Sequence, residues 1–487
     1  NNTIITEGDF SNIESNSKNT LYKGELSKGN ISYIFYLYID GNEENNLNMI
    51  NKSLVGTITV AEAPVTYQLT NEDGTSYTPS YSGSGTKAVR SNAALSKFKE
   101  VRVDNVTVDS SNYTLTDGST IVTFKESYLK TLSIGEHTLK IISNDGFASG
   151  KITVEKPTLA KKITSLYTNA TKTTTAVSSV TYNLASSVGL MNDRKGSMST
   201  GIDAGNIRYY GANPNNYIYF NCSDYSNQTS STCETWRIIG VFDGKVKIMR
   251  GSVIGDYSWD SSDSSINEGY GVNEWSQADL MKLLNSGYDS ESVGGSLYWN
   301  AGSGMCYNGQ NNATTSCNFT STGLKNPETR NMIAETTYYT RGHNTIDIFV
   351  DAMYDKERVS GTVITGVTPT RTLTWTGKIA VAYPSDYGYA ADLSQCKQTL
   401  INYDNSTCTA NNWMKNIVTN NGGNVGWLLT PYSGSADDTW VVSSSGYVNK
   451  YSLVSNARGV APVLSLTSEL DIGPGTGTSS SPYQLSV

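Results

Sequence analysis

The chain has 487 residues and a formal net charge of -8; charged residues make up only 16% of it, while Gly and Tyr are abundant at 44 and 32 residues. That length allows roughly two to four domains, and sparse charge with many Gly, Tyr, Asn, Ser and Thr is the make-up of an extracellular β-rich protein with long polar loops. The acidic balance supplies no basic field for phosphate backbones, which sets nucleic acid aside as a partner, and the longest apolar run, Tyr33 to Ile39, is a fraction of the roughly 18 residues a membrane helix needs, so no membrane span is expected.

The first residues are polar and lack the charged and apolar zones of a signal peptide, so the chain is expected to have been processed or to be numbered after a leader. Residues 1–61 form an N-terminal strand segment. Its central run, from Ile31 through Ile39, is apolar on both faces, the pattern of a strand covered on both sides. So short a segment has too few strands to cover both faces by itself. It must take strands from later in the chain or from another subunit, which makes Ile31, Tyr33, Ile34, Phe35, Tyr36, Leu37, Tyr38 and Ile39 the candidate assembly strand.

Residues 62–157 alternate cleanly. Val101 to Val108, Asn112 to Leu115, Ser119 to Phe124, Gly135 to Ile142 and Gly150 to Val154 read as short strands, punctuated by Asp117-Gly118 and Asp145-Gly146. Short strands at such spacing predict an antiparallel, immunoglobulin-like β-sandwich. Residues 158–180, with their Lys and Thr clusters, read as a linker. A larger region, 181–487, follows.

All six cysteines lie in this last region, at 222 and 233, 306 and 317, 396 and 408, with ten, ten and eleven residues between neighbours. Three similar spacings separated by long gaps make neighbour pairing the simplest arrangement: Cys222 to Cys233, Cys306 to Cys317 and Cys396 to Cys408. The intervening residues are turn formers, so each pair is expected to staple a surface loop. By chain-entropy reasoning such a closure stabilises by about 3 kcal/mol, and it persists outside a reducing cytosol. A metal reading would need C-x-x-C spacing or nearby histidines, and the chain has only His137 and His343. Helix signals are few: Asn273 to Leu284, and Asn326 to Ile333 with an Asn cap, Pro at the first turn and Glu behind it. Asn-x-Ser/Thr sequons recur, at Asn105, Asn227, Asn318 and Asn405 among others, but in a chain this rich in Asn, Ser and Thr they arise by chance, which leaves glycosylation open.

Three stretches carry family resemblances. Lys125 to His137 resembles the immunoglobulin-like X-type modules beside catalytic domains in clostridial surface enzymes, which implies a spacer without catalytic residues. Asn206 to Phe220, Trp236 to Phe242, Trp375 to Tyr389, Trp427 to Pro431 and Gly459 to Leu466 resemble an uncharacterised domain of surface and prepilin-like proteins of Bacillota. That family is similar to the C-type-lectin-like fold shared with formylglycine-generating enzymes. Ala461 departs from it, standing where the family places Arg before Pro-Val-Leu. Tyr38 to Gly41, with Asn51-Lys-Ser, is similar to the TasA and camelysin fibre proteins.

Little in the chain points to catalysis. Every cysteine has a local partner, which removes the free thiolate that a formylglycine-generating enzyme uses. His137 lies in an alternating strand and is expected on its polar face; His343 lies in a loop without a Ser or Cys partner. Asp260, Asp263 and Glu268 could coordinate calcium through oxygen, though turn capping by Asp and Ser explains them as well, as it does Asp437 and Asp438. The expected fold is mainly β: a strand segment, an immunoglobulin-like sandwich and an α+β, C-type-lectin-like domain with few short helices. The expected function is that of a secreted structural subunit, a homopolymer joined partly by strand complementation, and not an enzyme. The alternative is a monomeric adhesin that binds a host or matrix glycan or protein.

Overall fold

The structure, a computed structural model, divides into residues 1–63 and residues 64–487. It describes residues 64–486 except positions 82, 84, 156, 196–204, 262–269, 310–312, 368–369 and 451. The candidate assembly strand, Ile31 to Ile39, lies outside the described residues. The fold is mainly β, with several antiparallel sheets and short helices.

Residues 64–155 form a sandwich of two sheets. Its main strands are β1 (Lys87–Ser91), β2 (Phe98–Val103), β3 (Tyr113–Thr116), β4 (Thr120–Phe124), β5 (Gly135–Ser143) and β6 (Gly146–Val154). One sheet contains β1, β4 and β3; the other contains β6, β5 and β2. Along β5 the inward residues Leu139 and Ile141 alternate with the exposed Glu136 and Thr138, and the inward set joins Val89, Val101, Val122, Phe124 and Ile152 in a core separate from the rest of the chain. The turn between β5 and β6 leaves Ser143 paired with Gly146, where a Cβ would run into the backbone of Val65 on the neighbouring strand. Glycine is needed there because two backbones approach closely.

Residues 158–180 are not a linker. Thr158 caps α1 (Leu159–Asn169), its hydroxyl accepting from the Lys161 N–H at 3.4 Å. Leu159, Ala160, Ile163 and Tyr167 recur at helical spacing and are buried in the core of the larger region, while the lysines face outward. Then β7 (Thr173–Val177) begins a nine-stranded sheet. The Lys and Thr content that reads as linker is the solvent face of a packed helix and an edge strand.

That sheet runs β7, β8 (Val180–Ala185), β9 (Leu190–Asn192), β10 (Ile207–Tyr209), β12 (Glu234–Phe242), β13 (Lys245–Arg250), β15 (Val463–Ser465) and β14 (Ile379–Ala380), with β11 (Tyr217–Phe220) paired beside β12. Every pairing in it is antiparallel. Both faces are nonetheless buried. Ile238, Ile248 and Leu464 point into one core, shared with α1 and α2 (Asp279–Leu284). Ile239, Met249 and Val463 point into another, shared with α4 (Val350–Asp355) and α5 (Pro384–Tyr389). Between them in sequence, α3 (Pro327–Asn331) starts as expected, with the Asn326 side chain accepting from Thr329 N–H at 2.9 Å. The larger region is therefore three-layered, and its central strands carry almost no solvent face.

Ile163 gives a direct test of the corrected boundary. It is fully buried, so Ile163→Ala should lower unfolding free energy in urea by about 2–5 kcal/mol. A change near zero would restore the linker.

Candidate functional site

Three disulfides join Cys222 to Cys233, Cys306 to Cys317 and Cys396 to Cys408, the neighbour pairing expected from spacing. The six cysteines are buried even where the loops between them are exposed. The second bridge ties the two strands Ser303–Tyr307 and Thr314–Asn318 of one hairpin. The third differs from the expected surface loop: between its cysteines Leu400 and Tyr403 enter the core, so this bridge pins a core segment.

His137 corrects the expected strand phase. It is buried on the face that carries Leu139, with Nδ1 2.6 Å from Asp104 Oδ2 and Nε2 2.8 Å from the Ser133 carbonyl. The Ser133 carbonyl and the Asp104 carboxylate raise its pKa by favouring the imidazolium. His343 is also buried; its ring stacks on Trp440 at 4.6 Å between centroids, and its Nε2 lies against Met353 Sδ. Burial, with Lys356 nearby, pushes its pKa down to about 3, so it sits neutral.

Of the calcium candidates, Asp263 and Glu268 lie outside the described residues. Asp260 accepts from the Val272 N–H at 2.8 Å and from the Asp279 N–H at the start of α2 at 3.3 Å, while Asp279 accepts from Ser261 N–H. Burial and the neighbouring Asp279 push the Asp260 carboxyl up to about 7. Among the described residues no three His, Cys, Asp or Glu side chains gather as a metal set. Asp437 takes the Ser435 hydroxyl, and burial followed by Asp437 itself pushes Asp438 up to about 6.

The sequence patterns do not single out six charged side chains gathered on the face covered by α4 and α5, five of them buried and the sixth, Arg358, largely covered. Arg208, on β10, donates from Nε to Asp193 Oδ2 at 2.5 Å and from Nη1 to Asp386 Oδ1 at 2.9 Å. Lys247, on β13, donates to Asp386 Oδ2. Glu357 takes Arg358, the Ser385 N–H and the Ser385 hydroxyl. Aromatic rings close the set: Arg208 lies 4.5 Å from the Phe242 centroid and Arg358 lies 3.9 Å from that of Tyr354. Burial alone would raise the Asp386 carboxyl, but Lys247, Arg208 and Arg358 hold it well below the usual carboxylate range. The carboxylates of this set are engaged by cations and N–H groups, which suits architecture. The sequence signal was present: Arg208 between Ile207 and Tyr209, and Lys247 between Val246 and Ile248, are charges inside apolar strands.

A different arrangement lies at the rim of the sheet. A groove of about 410 Å³ is lined by Tyr217, Glu234, Thr235, Arg237, Arg250 and Ser252 with Gly251 and Ile417. Strand register places Tyr217 on β11 opposite Arg237 on β12. The Tyr217 ring lies 3.7 Å from the Arg237 guanidinium carbon and the Trp413 ring 5.0 Å from it. Arg237 Nε donates to Asn216 Oδ1 at 2.6 Å and Nη2 to the Pro214 carbonyl at 3.4 Å. Arg250, by contrast, has a carboxylate partner, Glu234, at 3.0 Å.

No family model, no curated protein and no solved structure matches the chain. No helix among the described residues is long and apolar enough to cross a membrane.

Two measurements test the buried groups. Asp386→Asn removes a charge that two cations share, and should lower unfolding free energy by about 3–5 kcal/mol; a loss below about 1 kcal/mol in urea titration would show that the network does not support the fold. His343 binds its proton in the unfolded chain near pH 6.5 but in the folded chain only near pH 3. The unfolded state therefore holds more protons in that window, and stability falls as pH drops through it, by at most roughly 1.4 kcal/mol per pH unit. His343→Phe, which keeps a ring on Trp440, should flatten this part of the profile relative to the parent; parallel profiles would contradict the assignment.

Proposed function

We propose that the chain is a structural subunit of an extracellular filament or cell-surface appendage whose copies join partly by β-strand pairing. One observation carries this reading. Strand β7 pairs only with β8 among the described residues, and its five residues, Thr173 to Val177, include neither proline nor charge. Exposed sheet edges are usually blunted by such residues. Lys172, just before the strand, is turned back to the Thr168 and Ala170 carbonyls at the end of α1, so it does not guard the edge. The occupant proposed is the apolar strand Ile31 to Ile39 of a second copy. Three disulfides suit an oxidising exterior. In this reading the 64–155 sandwich is a spacer and the larger region decorates the outside. The alternative, an adhesin that binds a glycan or protein through residues 181–487, is favoured by the groove at Arg237.

Electron microscopy of purified protein should show polymers, and Thr174→Lys with Ala176→Lys, both exposed on β7, should leave folded monomers. Monomers alone in the parent protein, with residues 31–39 packed on their own chain, would refute assembly by strand pairing.

A further inference from the structure

The groove at the rim of the nine-stranded sheet holds a charge without a counter-ion among the described residues. Arg237 is 7% exposed, and among the described residues no carboxylate forms an ion pair with it. Its Nε and Nη2 are occupied by Asn216 and Pro214, its faces by Tyr217 and Trp413. Nη1 makes no hydrogen bond within the described protein and is not among the buried nitrogens without a partner. Asn216, itself fully buried, fixes the guanidinium by accepting from Nε and is held in turn by donating to the Ile238 carbonyl at 2.8 Å. An arginine locked this firmly loses little freedom when it binds.

The charge count selects the ligand. Arg237 and Arg250 stand against one carboxylate, Glu234, so the groove keeps one positive charge. One singly charged anion neutralises it, whereas a phosphate monoester near neutral pH carries close to two charges. The groove, at about 410 Å³, is far larger than a lone carboxylate. The rest of its lining offers hydroxyl partners: the exposed Thr235 and Ser252, and Oε1 of Glu234, which takes only Arg250 Nη2 at 3.2 Å while Oε2 takes both Trp236 Nε1 and Arg250 Nε. The half-buried Tyr217 ring supplies apolar surface for a sugar ring.

We propose that this groove binds a carboxylate-bearing sugar residue, a hexuronic or sialic acid, with its carboxylate on Arg237 Nη1 and its hydroxyls on Thr235 and Glu234. The inference rests on the recognition alternative above and is independent of strand-mediated assembly.

Calorimetric titration of the full chain with D-glucuronic acid and with N-acetylneuraminic acid tests it, with D-glucose and sodium acetate as controls. At least one acid sugar should bind saturably, and both controls should bind tenfold or more weakly. Arg237→Gln should weaken binding at least tenfold. Thr235→Trp, at an exposed strand position, should do the same by filling the groove, and it carries the test if Arg237→Gln fails to fold. Binding of neither acid sugar, or binding unchanged in the folded variants, overturns the proposal. Glucose bound as tightly as the acid sugars overturns the carboxylate assignment yet leaves glycan recognition standing; acetate bound as tightly reduces the site to a simple anion site and overturns the sugar assignment.

Discussion

The larger region depends on the burial of Asp193, Arg208, Lys247 and Asp386 in one set. Removing four charges from water is expensive by several kcal/mol per ion, and the mutual attraction returns it only when the geometry is right. Such a set contributes little net stability but discriminates strongly among alternatives. Arg208 meets Asp193 because Asn192 pairs with Ile207 across β9 and β10. Slipping β10 by one residue would turn Arg208 to the opposite, apolar face and leave two buried carboxylates short of a partner. The network therefore fixes strand register more than it raises stability. It also fixes α5, since Asp386 closes the start of that helix by accepting from Tyr383 N–H at 3.1 Å.

Given that clamp, the remaining layers follow from ordinary burial. On one face, charge and aromatic rings hold α4 and α5; on the other, α1 and α2 pack through apolar stripes. An antiparallel sheet usually keeps one wet face. This one keeps neither along its centre, so exposed polar chemistry is pushed to the rim, where the Arg237 groove lies. Arg208 and Arg237 show the consequence on neighbouring strands. Both are buried arginines stacked on aromatic rings, but among the described residues Arg208 has two carboxylates and Arg237 has none. The first completes the fold; the second leaves a charge for something outside the chain.

What the sequence made legible follows the range of the interactions. The sandwich strands and the cysteine pairing depend on alternation and on partners close in sequence, and both could be read directly. The helix within 158–180 was hidden because Lys and Thr cover its solvent face, although Leu159, Ile163 and Tyr167 mark the buried stripe. His137 departs from the expected phase because the strand's alternation does not itself say which set faces in; Asp104 and the Ser133 carbonyl make the inward site tolerable for an imidazole. Arg208 and Lys247 stand out as charges inside apolar strands, but their partners do not, because Arg208 and Asp386 are 178 positions apart. No local pattern pairs residues at that distance.

The two proposed roles reinforce each other physically. A chain of net charge -8 repels acidic ligands at long range, but at physiological salt that field decays over about 8 Å, so the single positive charge of the groove acts only at contact. Recognition of this kind gains no electrostatic steering and gives a weak individual site. Weak sites become effective when many are displayed on one scaffold, because each further contact is then made at a high effective concentration. A polymer that joins through β7 and carries the groove on a separate rim of the same sheet would supply that multiplicity. Assembly would then set the strength of adhesion, and Arg237 its selectivity.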